Sequence, residues 1–347
     1  MSSSTTDVNQ EFISRIGDYG LKPLWDRYMT LMSLQPRVVS VPHRWRYQKI
    51  KEFLVEAADL VTAEDAERRV LLLENPALPG TCQVTETLLT GVQIISPGES
   101  APLHRHVPSD ARLILEGVEG AFTTVNGTKL EMHYADFIIT PNWTWHDHGH
   151  NGDTPVVWQD VLDIPLVNSV GPVFFENAPQ EEQIEENLQD KQMPAHDATH
   201  ENEKTGTDMF SPIQRYPFTE AREAMQNLTG EVEADPYIGY KKEYLNPDTG
   251  KSAMPTISVC LQYLPKSFKT LPYQTTEGSI FTCVEGEGTI TVGEGDIAKT
   301  FEFSKRDIFV VPCWYPYVLE TSDDTYLFVS SDKAAQSKLG FWRENRL

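Results

Sequence analysis

The sequence predicts a mainly β chain made of two copies of one small antiparallel barrel or jelly-roll module, preceded by helices. Three observations carry that expectation. Short apolar runs separated by Gly, Pro, Asn and Asp fill two stretches, residues 70–176 and 236–347, which is the texture of short antiparallel strands. The two stretches share a skeleton: Gly117 and Gly286 are 169 residues apart, Asp136 and Asp307 are 171 apart, and so are Pro141 and Pro312. Finally, 39% hydrophobic and 10% aromatic residues are more than a disordered chain carries.

At the start, "MSSSTTD" is small and polar and reads as a frayed end, with order expected from about Val8. Apolar residues at three- and four-residue spacing then predict helices up to about Met32 and again across "RYQKIKEFLVEAADLV", so residues 1–69 form a helical segment. In the first module, "RRVLLLEN", "GVQIIS", "ARLILEG", "AFTTVNG", "TKLEMH", "DFIITP" and "PVVWQDVLDIPLV" read as strands. Asn126-Gly127 marks a hairpin, because a type I′ turn needs two positive φ angles. Residues 177–235 turn polar and acidic and read as a linker with one short helix, "TEAREAMQNLTG". The second module adds "PTISVCLQYL", "SIFTCVEGEGTITVG", "DIFVVPCWYPYVLE" and "TYLFVSSD".

The formal charge of −22 argues against nucleic acid or an anionic membrane as a partner, since the long-range field repels both. Four cysteines without a CxxC pair, and no secretory leader pattern, predict free thiols in a reducing cytoplasm. No apolar run reaches membrane-spanning length.

Chemistry concentrates in the first module. His104 and His106, two apart in "PLHRH", project to one side of a strand with Arg105 on the other; about forty residues later "TWHDHGH" repeats the spacing with His146, His148 and His150. Neutral imidazoles in such a set suit divalent iron, copper, zinc or nickel. The second module acts as an internal control. The repeat offsets place Tyr273, Thr275 and Tyr317 where the first module has His104, His106 and His146, and no histidine follows His200. Arg112, an even eight residues after His104, shares its face if one strand continues through both, and a planar guanidinium matches a carboxylate.

"PGESAPLHRH", "ARLILEG" and "DFIITPNWTWHDHGH", together with "LKPLWDRY", "VPHRWRY", "LDIPLVN" and "LGFWRE", resemble the gentisate 1,2-dioxygenase family over nearly the whole chain. These are ring-cleaving bicupins, with salicylate and 1-hydroxy-2-naphthoate dioxygenases among them. The resemblance implies Fe(II) on His104, His106 and His146, no organic cofactor, and insertion of O2 between the carboxyl-bearing and hydroxyl-bearing ring carbons. It implies substrate contacts at Arg112, Gln93 and Arg68, catalytic roles for His148 and Asp160, and a homo-oligomer, with a tetramer favoured. Leu89 and Gly91 would help to select the aromatic acid. Trp143 and Trp145 are expected in the core and pocket wall, and Arg69 in an ion pair. Two positions depart from the pattern: Asp110 stands in the slot where many cupins have a fourth, glutamate ligand, and His150 where an asparagine is common.

Overall fold

A computed structural model describes residues 3–62, 66, 68–178 and 209–347. The acidic runs at 180–190 and 196–208, expected as linker, lie outside the described residues. Residues up to Arg37 form one compact unit, with helices α1 (Ser3–Asp18) and α2 (Leu24–Leu31). The helical pattern up to Met32 is thus broken at Pro23, which precedes α2, and α1 takes in the polar start expected to fray.

The second unit, from Val38 onward, is the repeated body. Its first half holds β1 (His43–Trp45), α3 (Tyr47–Leu60), β2 (Val70–Leu73), β3 (Leu89–Ile95), β4 (Ser100–His106), β5 (Asp110–Glu116), β6 (Ala121–Val125), β7 (Thr128–Glu131), β8 (Phe137–Thr140), β9 (His146–His150), β10 (Val156–Leu162), α4 (Ile164–Val170) and β11 (Phe175–Asn177). The second half repeats that order as β12 (Arg215–Tyr216), α5 (Phe218–Glu231), β13 (Tyr240–Glu243), β14 (Ser258–Leu264), β15 (Tyr273–Thr275), β16 (Ser279–Glu285), β17 (Glu287–Val292), β18 (Lys299–Ser304), β19 (Ile308–Val311), β20 (Tyr317–Thr321), β21 (Thr325–Ser331), α6 (Lys333–Leu339) and β22 (Glu344–Arg346). Asn126 and Gly127 take φ of 52° and 80° between β6 and β7, the hairpin expected there. The run "DIPLV", expected as strand, instead enters α4, with Pro165 in its first turn where a missing N–H costs nothing.

Each half closes as two sheets. The first barrel pairs β12-β8-β5-β10-β3-β2 with β11-β4-β9-β6-β7; the second pairs β1-β19-β16-β21-β14-β13 with β18-β17-β20-β15-β22. The opening strands are exchanged: β1 joins the second barrel through β19, and β12 joins the first through β8. The helix after each exchanged strand starts on the repeat's aspartate. Asp307 Oδ1 accepts the Tyr47 amide at 2.8 Å, and Asp136 Oδ1 accepts the Phe218 amide at 2.9 Å. Such a carboxylate satisfies an orphan donor and favours the positive end of the helix dipole. The repeat is therefore wider than 70–176 and 236–347. It takes in a strand and a helix that the composition alone assigns to a helical segment and a linker.

Between the six-stranded sheets lies a shared core of Leu113, Phe137 and Val161 from one side and Ile280, Val310 and Phe328 from the other. A link of Thr282 Oγ1 to Gln159 Oε1 (2.6 Å) and Gln159 Nε2 to Thr90 Oγ1 (3.1 Å) crosses it. The remaining face of each sheet lines its own barrel.

Candidate metal centre

Strands β4 and β9 carry the histidines. Arg105, between the two on β4, points outward to pair with Glu176 and stacks on Trp143 and Trp145, its Cζ 4.3 and 4.6 Å from their ring centres. The tryptophans expected in the core and pocket wall therefore brace the outside of β4. His146 opens β9 directly opposite His104 in register. The turn that delivers it holds Trp143 at a φ of 56°, with its amide donating to the His106 carbonyl at 2.7 Å.

The imidazoles of His104, His106 and His146 converge: ring centroids are 4.0 Å apart for His104–His146, 4.8 Å for His106–His146 and 5.5 Å for His104–His106. One nitrogen from each lies within 4.8 Å of the others. Each Nδ1 faces a backbone carbonyl two residues away, Pro102 at 2.9 Å, Pro108 at 2.6 Å and Thr144 at 2.8 Å. An Nδ1–H donated there leaves the lone pair on Nε2, the tautomer a metal requires. Burial, reinforced by the charge of Arg68, pushes His104 down to about 3, and burial also lowers His106 and His146. Three neutral imidazoles with free Nε2 atoms fit a divalent transition metal. Among the described residues no carboxylate joins this group.

Asp110, in the slot of a fourth ligand, is turned to Arg112 instead. Arg112 lies on β5, not on a continuation of β4, because the chain bends at Val107 and Pro108, yet it still reaches the interior. It is fully buried, and its nitrogens are all engaged: Nε to Asp160 Oδ1 at 2.7 Å, Nη2 to Asp110 Oδ2 at 2.6 Å, and Nη1 to Thr123 Oγ1 at 3.1 Å. Asp160 Oδ2 also accepts Trp158 Nε1 at 2.8 Å. Burial, and then the Asp160 charge, raise the Asp110 pKa well above the usual carboxylate range.

His148, two residues on from His146 and on the same face, has its ring 5.9 Å from His146 and 5.2 Å from Trp158. Its Nδ1 is buried without a hydrogen-bond partner among the described residues, and so is Gln93 Nε2; buried polar atoms left open in this way await a ligand or water. Gln93 stands opposite Trp158 in the β3–β10 pairing. Arg68 acts on the centre through its charge, which lowers His104, His106 and His148. Arg69 is buried against Glu99 and also donates to the carbonyl of Ala58. His150 is tied to the loop after β9 through Thr154. A Cβ on Gly91 would meet the Val70 side chain at 2.5 Å, so close packing of β2 accounts for that glycine. Trp158, which joins His148, Arg112 and Asp160, escaped sequence reasoning; its position two residues before Asp160 on one strand was the available signal.

Residues 91–165 match the model of the cupin domain family. Over 99% of its length and 98% of the relative's, the chain is 41% identical to gentisate 1,2 dioxygenase 1 of Aquipseudomonas alcaligenes. It is 32% identical to a gentisate 1,2-dioxygenase of a Streptomyces species, covering 97% of this chain and 95% of that protein. The crystal structure of salicylate 1,2-dioxygenase from Pseudoaminobacter salicylatoxidans with gentisate superposes with a TM-score of 0.83 at 28% identity, over 97% of this chain and 93% of that one.

Proposed function

The chain belongs to the gentisate 1,2-dioxygenase family, and on that premise we propose that it uses Fe(II) to open the ring of gentisate between the carboxyl-bearing and adjacent hydroxyl-bearing carbons, giving maleylpyruvate. The observation that carries this reading is the three-histidine set with its tautomers fixed toward one point. His104, His106 and His146 would hold the iron, which when bound supplies open positions for an ortho-hydroxy acid and for dioxygen. The remaining residues orient the acid and handle its protons. Gln93 Nε2 is a buried donor in want of an acceptor, and Arg68 supplies positive charge for a carboxylate. His148, kept neutral by burial, has Nδ1 available to a substrate hydroxyl. Asp160, held by Arg112 and Trp158, presents a fixed acceptor. The division into a metal-bearing first barrel and a structural second one is part of the same reading. So are a cytoplasmic location and a homotetramer, which rest on the cysteine pattern and the family resemblance; light scattering after size exclusion tests the latter.

Oxygen uptake by anaerobically purified, Fe(II)-loaded protein, with the product followed by absorbance, tests the proposal on gentisate, salicylate and 1-hydroxy-2-naphthoate. Uptake on gentisate matched one for one by ring-opened product is the expected result. Iron bound without uptake on any of the three would refute it.

A further inference from the structure

Arg112 is the guanidinium that the family pattern assigns to the substrate, and here each of its nitrogens already donates to another side chain. Asp110, Asp160 and Thr123 take one N–H each of Nη2, Nε and Nη1, so three of the five donors, among them the Nε and Nη2 pair that makes a side-on fork, are already engaged. The fold does not demand this arrangement. At the repeat positions of the second barrel, Ser279, Phe281 and Val329 replace Asp110, Arg112 and Asp160: β10 pairs Asp160 with Arg112, and β21 pairs Val329 with Phe281. A buried ionic group with an apolar counterpart in the same fold has a reason other than stability, because such groups are seldom net stabilising.

Asp110 is the member of the group that closes it. It shares the inward face of β5 with Arg112, on the strand that follows directly from His106. Its Oδ2 takes the Nη2 N–H that, with Nε held by Asp160, would complete a side-on fork to a bound carboxylate.

We propose that Asp110 is a specificity-determining residue: by holding an N–H of Nη2 of Arg112 it competes with the substrate for that guanidinium, and so sets how strongly the site prefers an aromatic carboxylate to its uncharged analogue. The inference rests on the dioxygenase reading for the identity of the site. It assigns the carboxylate chiefly to the iron and Arg68, with Arg112 mainly the support of Asp160.

The test compares dissociation constants of gentisate and of its carboxamide, measured by calorimetry on the anaerobic, Fe(II)-loaded full chain. In Asp110→Ala the released N–H should raise the acid-to-amide preference on the order of tenfold. Asp110→Asn, whose amide oxygen still accepts from Nη2, should bring the preference back to the wild-type value. Should Asp110→Ala not fold, Asp110→Ser, too short to span the 2.6 Å contact, carries the same expectation. A preference unchanged in the Ala or Ser variant, with both ligands weakened in parallel, would overturn the inference and leave Asp110 a packing residue. Wild-type protein that neither binds gentisate nor consumes oxygen with it would instead remove the dioxygenase reading, and this inference with it.

Discussion

In the first barrel His104 faces His146 across β4 and β9; at the same register of the second, Tyr273 faces Tyr317 across β15 and β20. Around the histidines stand the Arg112 group and a small apolar cluster that includes Ile114, Ile138 and Trp158. Around the tyrosines the interior is filled by Phe281, Phe303 and Phe309, with Phe281 stacked on Phe309 at 5.1 Å. Even the turn before the third ligand position is shared, since Trp143 and Trp314 take φ of 56° and 61° and donate to His106 and Thr275. One backbone plan thus supports either a polar pocket or a packed aromatic core. What differs is the side chains that point inward, so function here is a property of the filling and not of the fold.

The widest separation between the barrels is expected at the ligands. His104→Ala should lower turnover by at least about a thousandfold and release iron, since two imidazoles retain the metal poorly. Tyr273→Phe, its counterpart, should leave iron content and turnover within about twofold of wild type. Iron retained at full stoichiometry in His104→Ala, or lost in Tyr273→Phe, would break the comparison.

Next in size comes the Arg112 group. Removing the cation alone, in Arg112→Met, leaves two carboxylates buried together and should cost about 3–5 kcal/mol of stability by urea unfolding. Transplanting the filling of the second barrel, Asp110→Ser with Arg112→Phe and Asp160→Val, should recover most of that stability while abolishing turnover. If the triple variant is no more stable than Arg112→Met, the two interiors are not interchangeable in the sense argued above.

Much of this was legible because strands announce themselves by alternation and because the chain repeats itself. The hairpin at Asn126-Gly127, the histidine pairs and their absence from the second half needed only spacing. The exchanged strands did not announce themselves. β1 and β12 are three and two residues long, too short for any period, and the partner of β1 is β19, some 260 residues away. The one trace was the shared offset of 171 residues, which relates Tyr47 to Phe218 as it relates Asp136 to Asp307, the very aspartates that hold those helices. The filled state of Arg112 was half visible: Asp110 shares its face two residues away, but Asp160 arrives from β10, and pairing between strands far apart in sequence leaves no local mark.

A subtler contrast lies in features the barrels share. Asp163 and Asp332 begin α4 and α6, and each ties its own half to the other: Asp163 accepts Ser109 N from its own half and Thr256 Oγ1 from the other, and Asp332 accepts Gly278 N from its own half and Thr87 Oγ1 from the other. Burial raises both pKa values, that of Asp332 from 3.8 to about 6. A folded pKa above the unfolded one means stability that is whole below pH 3.8 and lost as pH rises through about 6, because the unfolded aspartate ionises first. Asp332→Asn keeps an acceptor but does not titrate, so it should flatten that part of the stability–pH curve, by up to about 3 kcal/mol between pH 4 and 7. Urea midpoints at the two pH values decide it. Asp163→Asn should move in the same direction, since its partners are the repeat equivalents of those of Asp332. A shift in only one of the two would show that the repeat holds in geometry while the halves differ in how closely each aspartate is shielded from water.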